Sequence, residues 1–227
     1  MKLTPQDELL KIRQEMLAKE VDAELKNDQI KAFWKKYRFL LIGLAALAIV
    51  IAIGFELYQS WWTKTRLSES DQFETAAVLS YQGQYDTALK NLTDLSENGK
   101  TDYRYLADLK RAAILIQKNE NETAFNLLNA LISNKNAPEE FKSIAQLSLA
   151  GHQIDIQKPE DIQIQLQPLL NESNPFYGSA AELMAIIYLK QNNQDAAKNI
   201  LNQALQSTSV PLNVKQRLSE LLSVIEA

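Results

Sequence analysis

Gly83-Gln84-Tyr85-Asp86-Thr87-Ala88-Leu89-Lys90-Asn91-Leu92-Thr93-Asp94-Leu95 is a helix stop followed by a helix with one apolar face. Glycine ends the preceding run, and Ala88, Leu92 and Leu95 then fall at helical spacing. The same order returns along the chain. Ala88 has counterparts at Ala124, Ile162 and Ala197, Leu92 at Leu128, Leu166 and Leu201, and Leu95 at Leu131, Leu169 and Ala204. Twelve residues before the first set stand Ala76, Ala112, Ala150 and Ala185. The spacings between units are 36, 38 and 35 residues, from positions 88, 124, 162 and 197. Small residues on two consecutive helices let their backbones approach, and the leucines fill the seam to the next pair.

Working outward, helical periodicity dominates from Thr63 on. It predicts helices at about 67–82, 84–97, 102–118, 120–133, 138–156, 159–171, 176–191, 193–206 and 211–225. Pro138, Pro159 and Pro211 sit at helix starts, and Gly83, Gly99, Asn119 and Asn192 at stops. Connections this short make consecutive helices antiparallel neighbours. A helix pair repeated at about 34 residues is the tetratricopeptide pattern. The third unit matches worst, with Ile162 in place of alanine and Pro168 inside its second helix, so a kinked or short helix is expected there. The last helix would cap the open end. The expected fold class is all-α: one N-terminal transmembrane helix, then a tetratricopeptide-like helix-pair solenoid.

The transmembrane expectation rests on Phe39–Phe55, FLLIGLAALAIVIAIGF, which has no charge and no proline. It spans about 25 Å, and its flanks complete the bilayer crossing. Trp34, Lys35, Lys36 and Arg38 stand at one rim, and Tyr58, Trp61 and Trp62 at the other, where interfacial side chains belong. The preceding segment is too long for a signal peptide's n-region, and no small-x-small site follows. Lys19, Lys26, Lys31, Lys35, Lys36 and Arg38 precede the run, whereas only Lys64 and Arg66 follow closely. The positive-inside rule then leaves the N-terminus in the cytoplasm and exports the rest. The expected organisation is a cytoplasmic helical tail at 1–38, the span at 39–58, a short linker at 59–66 and an exported repeat domain at 67–227. In the tail, Thr4-Pro5-Gln6-Asp7 reads as a helix start, and Leu10, Leu17, Val21 and Leu25 form a narrow stripe. A solvated lead-in to the anchor and a docking helix both fit that stripe. Ala48 and Ala52 form a small-xxx-small pair in the span, a spacing common in any alanine-rich segment.

Composition removes several classes of function. Up to Trp62 there are nine Lys+Arg against eight Asp+Glu; of the totals 24 and 28, fifteen and twenty remain after it, so the exported part is acidic. No basic block is left for nucleic acid. Cysteine is absent, which excludes disulfides, thiolate metal sites and haem attachment. His152 is the one histidine, so neither a nucleophile–base pair nor a histidine metal site can be assembled. Glu139-Glu140 and Glu160-Asp161 follow prolines at helix starts, where they complement the helix dipole. No catalytic, metal, cofactor or small-molecule site is expected.

What remains is shape. First helices line the concave face of such a solenoid. Counted along the aligned units, that face holds Phe73, Ala77, Tyr81, Leu109, Ala113, Ile116, Leu147, Gly151, Ile154, Ile186 and Leu189. It suits an extended or helical apolar peptide. The alternative is that these residues pack beneath the second helices. Two functions follow: a membrane-tethered binding module, or a self-associating structural or assembly protein of the envelope.

Phe33-Trp34-Lys35-Lys36-Tyr37 before one span, Tyr58-Gln59-Ser60-Trp61-Trp62 after it, and degenerate tetratricopeptide-like repeats resemble the YfgM-like family. Its members are ancillary subunits of the bacterial SecYEG translocon, anchored in the inner membrane. The resemblance implies a periplasmic scaffold beside the Sec translocon, with the membrane-bound chaperone PpiD as partner and no enzymatic activity.

Overall fold

The computed structural model describes residues 5–226, and all regular structure among them is helical. The helix start expected at Thr4 lies partly outside the described residues, as do the side chains of the Leu10, Leu17, Val21 and Leu25 stripe. The chain divides into two compact units, Met1–Thr63 and Lys64–Ala227.

Helix α1 runs Pro5–Tyr81. Residues 59–66, expected as a linker, are helical, and the boundary between units falls within them. The reason is local: Tyr58 to Ser70 contains no glycine, proline or asparagine to stop a helix. In the first unit the described side chains of the apolar run are exposed, and the window has a mean hydropathy of 2.6. This is one helix long and apolar enough to cross a membrane.

In the second unit the end of α1 is followed by α2 (Tyr85–Asn98), α3 (Tyr103–Gln117), α4 (Asn121–Ser133), α5 (Glu139–Gln153), α6 (Pro159–Leu166), α7 (Tyr177–Lys190), α8 (Gln194–Gln206) and α9 (Leu212–Glu226). Each expected helix exists, so the tetratricopeptide-like solenoid holds. The register holds residue by residue. Ala76, Ala112, Ala150 and Ala185 are 0 % exposed, and Ala88, Ala124, Ile162 and Ala197 at most 1 %. Leu92, Leu128, Leu166 and Leu201 are as deeply buried, which stabilises by about 1.5–3 kcal/mol for each leucine.

Three of the four turns inside the pairs share one device. Gly83, Asn119 and Asn192, each five residues before the small residue of the second helix, adopt φ of 78°, 65° and 57°. After them Gln84, Glu120 and Asn193 donate N–H to the carbonyls of Leu79, Leu115 and Tyr188, closing Schellman turns. The third pair departs as expected and further. Its second helix, α6, has 8 residues against 13 or 14 in α2, α4 and α8, and passes into a 3-10 turn at Gln167–Leu169 around Pro168. Its first helix, α5, expected to reach Ile156, stops at Gln153. At the far end α9 lies against α7, where a Cβ on Gly178 would sit 2.8 Å from Val210 and Val214 methyls.

Candidate protein-binding groove

The eleven side chains assigned to the concave face lie on the end of α1, on α3, α5 and α7, and just past α5. None is buried: Tyr81 and Ala113 are exposed and the other nine half-buried. The half-buried ones belong to the seams. Phe73 packs against the cluster of Ala76, Ala88 and Leu92, its ring centroid 5.9 Å from that of Tyr103. Leu109 and Ile116 pack on the core around Leu128 and Leu149, Leu147 and Ile154 on that around Ile162 and Leu166, and Leu189 on that around Leu201. A Cβ at Gly151 would have its nearest neighbour, Leu183 Cδ2, at 4.0 Å. Ala77 and Ile186 are half-buried without being part of these clusters. Tyr81 is 84 % exposed and carries the Lys110 ammonium over its ring at 4.7 Å. That contact joins the first helices of two consecutive pairs.

The polar groups between repeats were not legible as a site, yet they recur with the repeat period. Glu69, 6 % exposed, accepts from the Lys100 and Thr101 amides at 2.7 and 3.0 Å and from the Thr101 hydroxyl. Tyr105 donates to the Asn136 carbonyl at 2.9 Å, and Ser207 to Glu172 at 3.1 Å. Lys118 pairs with Asp86 at 2.8 Å, Arg217 with Glu182 at 2.6 Å, and Lys190 with Asp155. Each joins residues 31 to 35 apart, a little under one repeat, because each pair stacks on the next. A search for charge or hydroxyl partners at that spacing would have found them. The hydrogen bonds to Asp86 and then Glu120 raise the Lys118 pKa, and the bond to Glu182 raises that of Arg217. Burial, then the Glu172 charge, pushes the Tyr177 phenol up.

The residues assigned to the membrane rims lie on α1 in the first unit. Trp34, Lys35, Lys36, Arg38, Tyr58, Trp61 and Trp62 are exposed. Lys36 Nζ lies 5.2 Å from the Tyr37 ring and the Arg38 guanidinium 4.7 Å from that of Phe39, so both cations flank aromatic faces at one end of the run. Tyr58, Trp61 and Trp62 cluster at the other, with centroids 6.1–6.5 Å apart. His152 is exposed at the end of α5.

Comparison with known proteins agrees with this architecture. An uncharacterized protein of Rickettsia prowazekii (strain Madrid E) is 27% identical over 140 residues, 60% of this chain and 64% of that protein, so the match spans under two thirds of the relative. An ancillary SecYEG translocon subunit of Aggregatibacter actinomycetemcomitans is 24% identical over 198 residues, 84% of this chain and 92% of that protein. The tetratricopeptide repeat-like domain family matches residues 31–222, from the lysine-rich approach to the apolar run through to α9, and the chain belongs to that family.

Proposed function

We propose that this protein is a single-pass adaptor of the bacterial inner membrane. Its N-terminus is cytoplasmic, and its repeat domain lies in the periplasm and binds proteins during or after export. In this reading it is a YfgM-like companion of the SecYEG translocon, working with a PpiD-like chaperone. The observation that carries it is the 24% identity to an ancillary SecYEG translocon subunit along 84% of the chain, anchor and repeats together. The physical support is the first-helix face: apolar, neither core nor fully solvated, and free of any acid–base or nucleophilic pair. Such faces capture peptides by shape and apolar contact. The anchor confines the domain to one surface, so weak contacts suffice at raised effective concentration.

Photo-crosslinking from positions 81 and 113, the two exposed members of the face, tests the reading in the native membrane. Translocon subunits or a membrane-bound chaperone are the expected adducts. Adducts only between copies of this chain would instead establish the self-associating structural protein. Tyr81→Glu with Ala113→Glu should abolish the hetero-adducts while the helical circular dichroism persists. Charging Leu109 or Ile154 would be a poor test, because both pack on the core.

A further inference from the structure

Four features mark the third pair between the end of α5 and Leu169. First, its turn has no left-handed residue. Gln157 occupies the place of Gly83, Asn119 and Asn192, and the amides of Ile156 and Gln157 both turn back on the Gln153 carbonyl instead of closing a Schellman turn. Second, α6 is cut short: Pro168 has no N–H to give the Ile164 carbonyl, and the chain tightens into the 3-10 turn. Third, the buried side-chain oxygens without a partner among the described residues are Gln153 Oε1 and Gln165 Oε1, one at the end of α5 and one on α6. Fourth, Ile156 and Ile164 are 66 % and 72 % exposed. Among the described residues, buried side-chain polar atoms without a partner occur only in this pair.

One face of α5, with Ala145 and Leu149, lies in the cluster built around α3 and α4, and Ala150 of α5 joins Ile162, Leu166 and Leu169 with Ala180, Met184 and Ile187 of α7, the division between two clusters that α3 and α7 also show. Gln191, at the end of α7, accepts from Gln163 and donates to Glu160, both at 2.9 Å, and so binds α6 to the fourth pair. Across the seam lie Ala150, Leu147 and Ile154 against the cluster of Ile162, Leu166, Ala180, Met184 and Ile187, the Lys190–Asp155 ion pair, and Asn174 donating to Ser143 at a long 3.4 Å.

We propose that residues 154–158 are a hinge built into the solenoid, at which the block 64–153 and the block 159–226 separate and close as units. The orphaned glutamine oxygens favour the open form, where water satisfies them. The apolar contacts of Ala150 and Ile162 favour the closed one. The hinge stands whether or not the concave face binds protein. If that face does, hinge motion changes the distance between Leu109 and Ile116 on one block and Ile186 and Leu189 on the other.

The absence of cysteine makes two measurements on the full chain in detergent direct. Hydrogen exchange compares Ile162–Leu166 with the register-equivalent Ala124–Leu128 and Ala197–Leu201, whose first and last residues are equally buried. The α6 amides should exchange about ten-fold faster or more, the difference between sub-global and global opening. Spin labels at Lys90→Cys, Asn126→Cys and Asn199→Cys occupy one register position on α2, α4 and α8, all exposed. The 90/126 pair should give one narrow distance, and the 126/199 pair, which spans the hinge, a broad or two-peaked one. Equal exchange in the three helices overturns the hinge. So does a single narrow distance for both pairs, since faster exchange alone would then mean local fraying of α6.

Discussion

Glu69 shows how one side chain can join two repeats. Its buried carboxylate takes three donors from Lys100 and Thr101, so removing it strands two amides and a hydroxyl at the α2–α3 connection. Glu69→Ala should cost about 1.5–3 kcal/mol, the scale of a charged hydrogen-bond network losing its acceptor. A thermal melt of the full chain in detergent would read it, and a melting temperature equal to wild type would refute the role. Tyr177 and Lys118 contribute to the alkaline side of the stability profile. Both pKa values are raised on folding, from ordinary values of 10.0 and 10.5. Above 10 the unfolded chain releases these protons more readily than the folded one. Their contribution is therefore complete below pH 10 and is lost as pH rises through the folded values. Stability should fall on that side, and Tyr177→Phe should flatten the fall in a melting-temperature profile from pH 9 to 11. An unchanged slope would mean that the phenol is not the group responsible.

The helices were legible because each carries its own punctuation. Glycine or asparagine stops the first helix of three pairs, and the alanine–leucine–leucine register orients the second. Helix α4 offers a test of that register. Ala124 is 0 % exposed where α4 crosses its neighbours, so Ala124→Trp should overpack the crossing and cost about 1–3 kcal/mol or more. Gln117, the exposed last residue of α3, should accept tryptophan with little change. Equal melting temperatures for the two variants would overturn the assigned packing. Helix α6 shows where reading an element from sequence stops. Pro168 announced a defect, and Gln157, standing where the other pairs have glycine or asparagine, accounts for the missing left-handed turn, but the unpartnered oxygens of Gln153 and Gln165 follow only from the packing.

At the scale of the molecule, the membrane topology is open to direct test. With Lys35, Lys36 and Arg38 at the entry to the apolar run, the proposed orientation has the N-terminus in the cytoplasm, as the positive-inside rule expects. Protease added to intact spheroplasts should digest the repeat domain and leave a tag on the N-terminus untouched. Protection of the repeat domain, with loss of the tag, would reverse the orientation. The proposed role beside the translocon depends on this outcome, because only an exported domain can meet chains as they leave the membrane.

Composition and local pattern were enough to identify the helices, their antiparallel pairing, the four-fold register and the one segment able to span a bilayer. Each is a periodicity or length condition satisfied within some forty residues, and helix formation is local. Two things were decided only by tertiary structure. One is the share of each concave-face residue spent on its neighbours: nine of the eleven are half-buried, because a first helix packs against its partner and the next pair at once. The other is which of the polar side chains 31 to 35 residues apart meet, and which glutamine oxygens of the third pair are left without a partner. These depend on how one pair stacks on the next, and stacking geometry is a property of the assembled core.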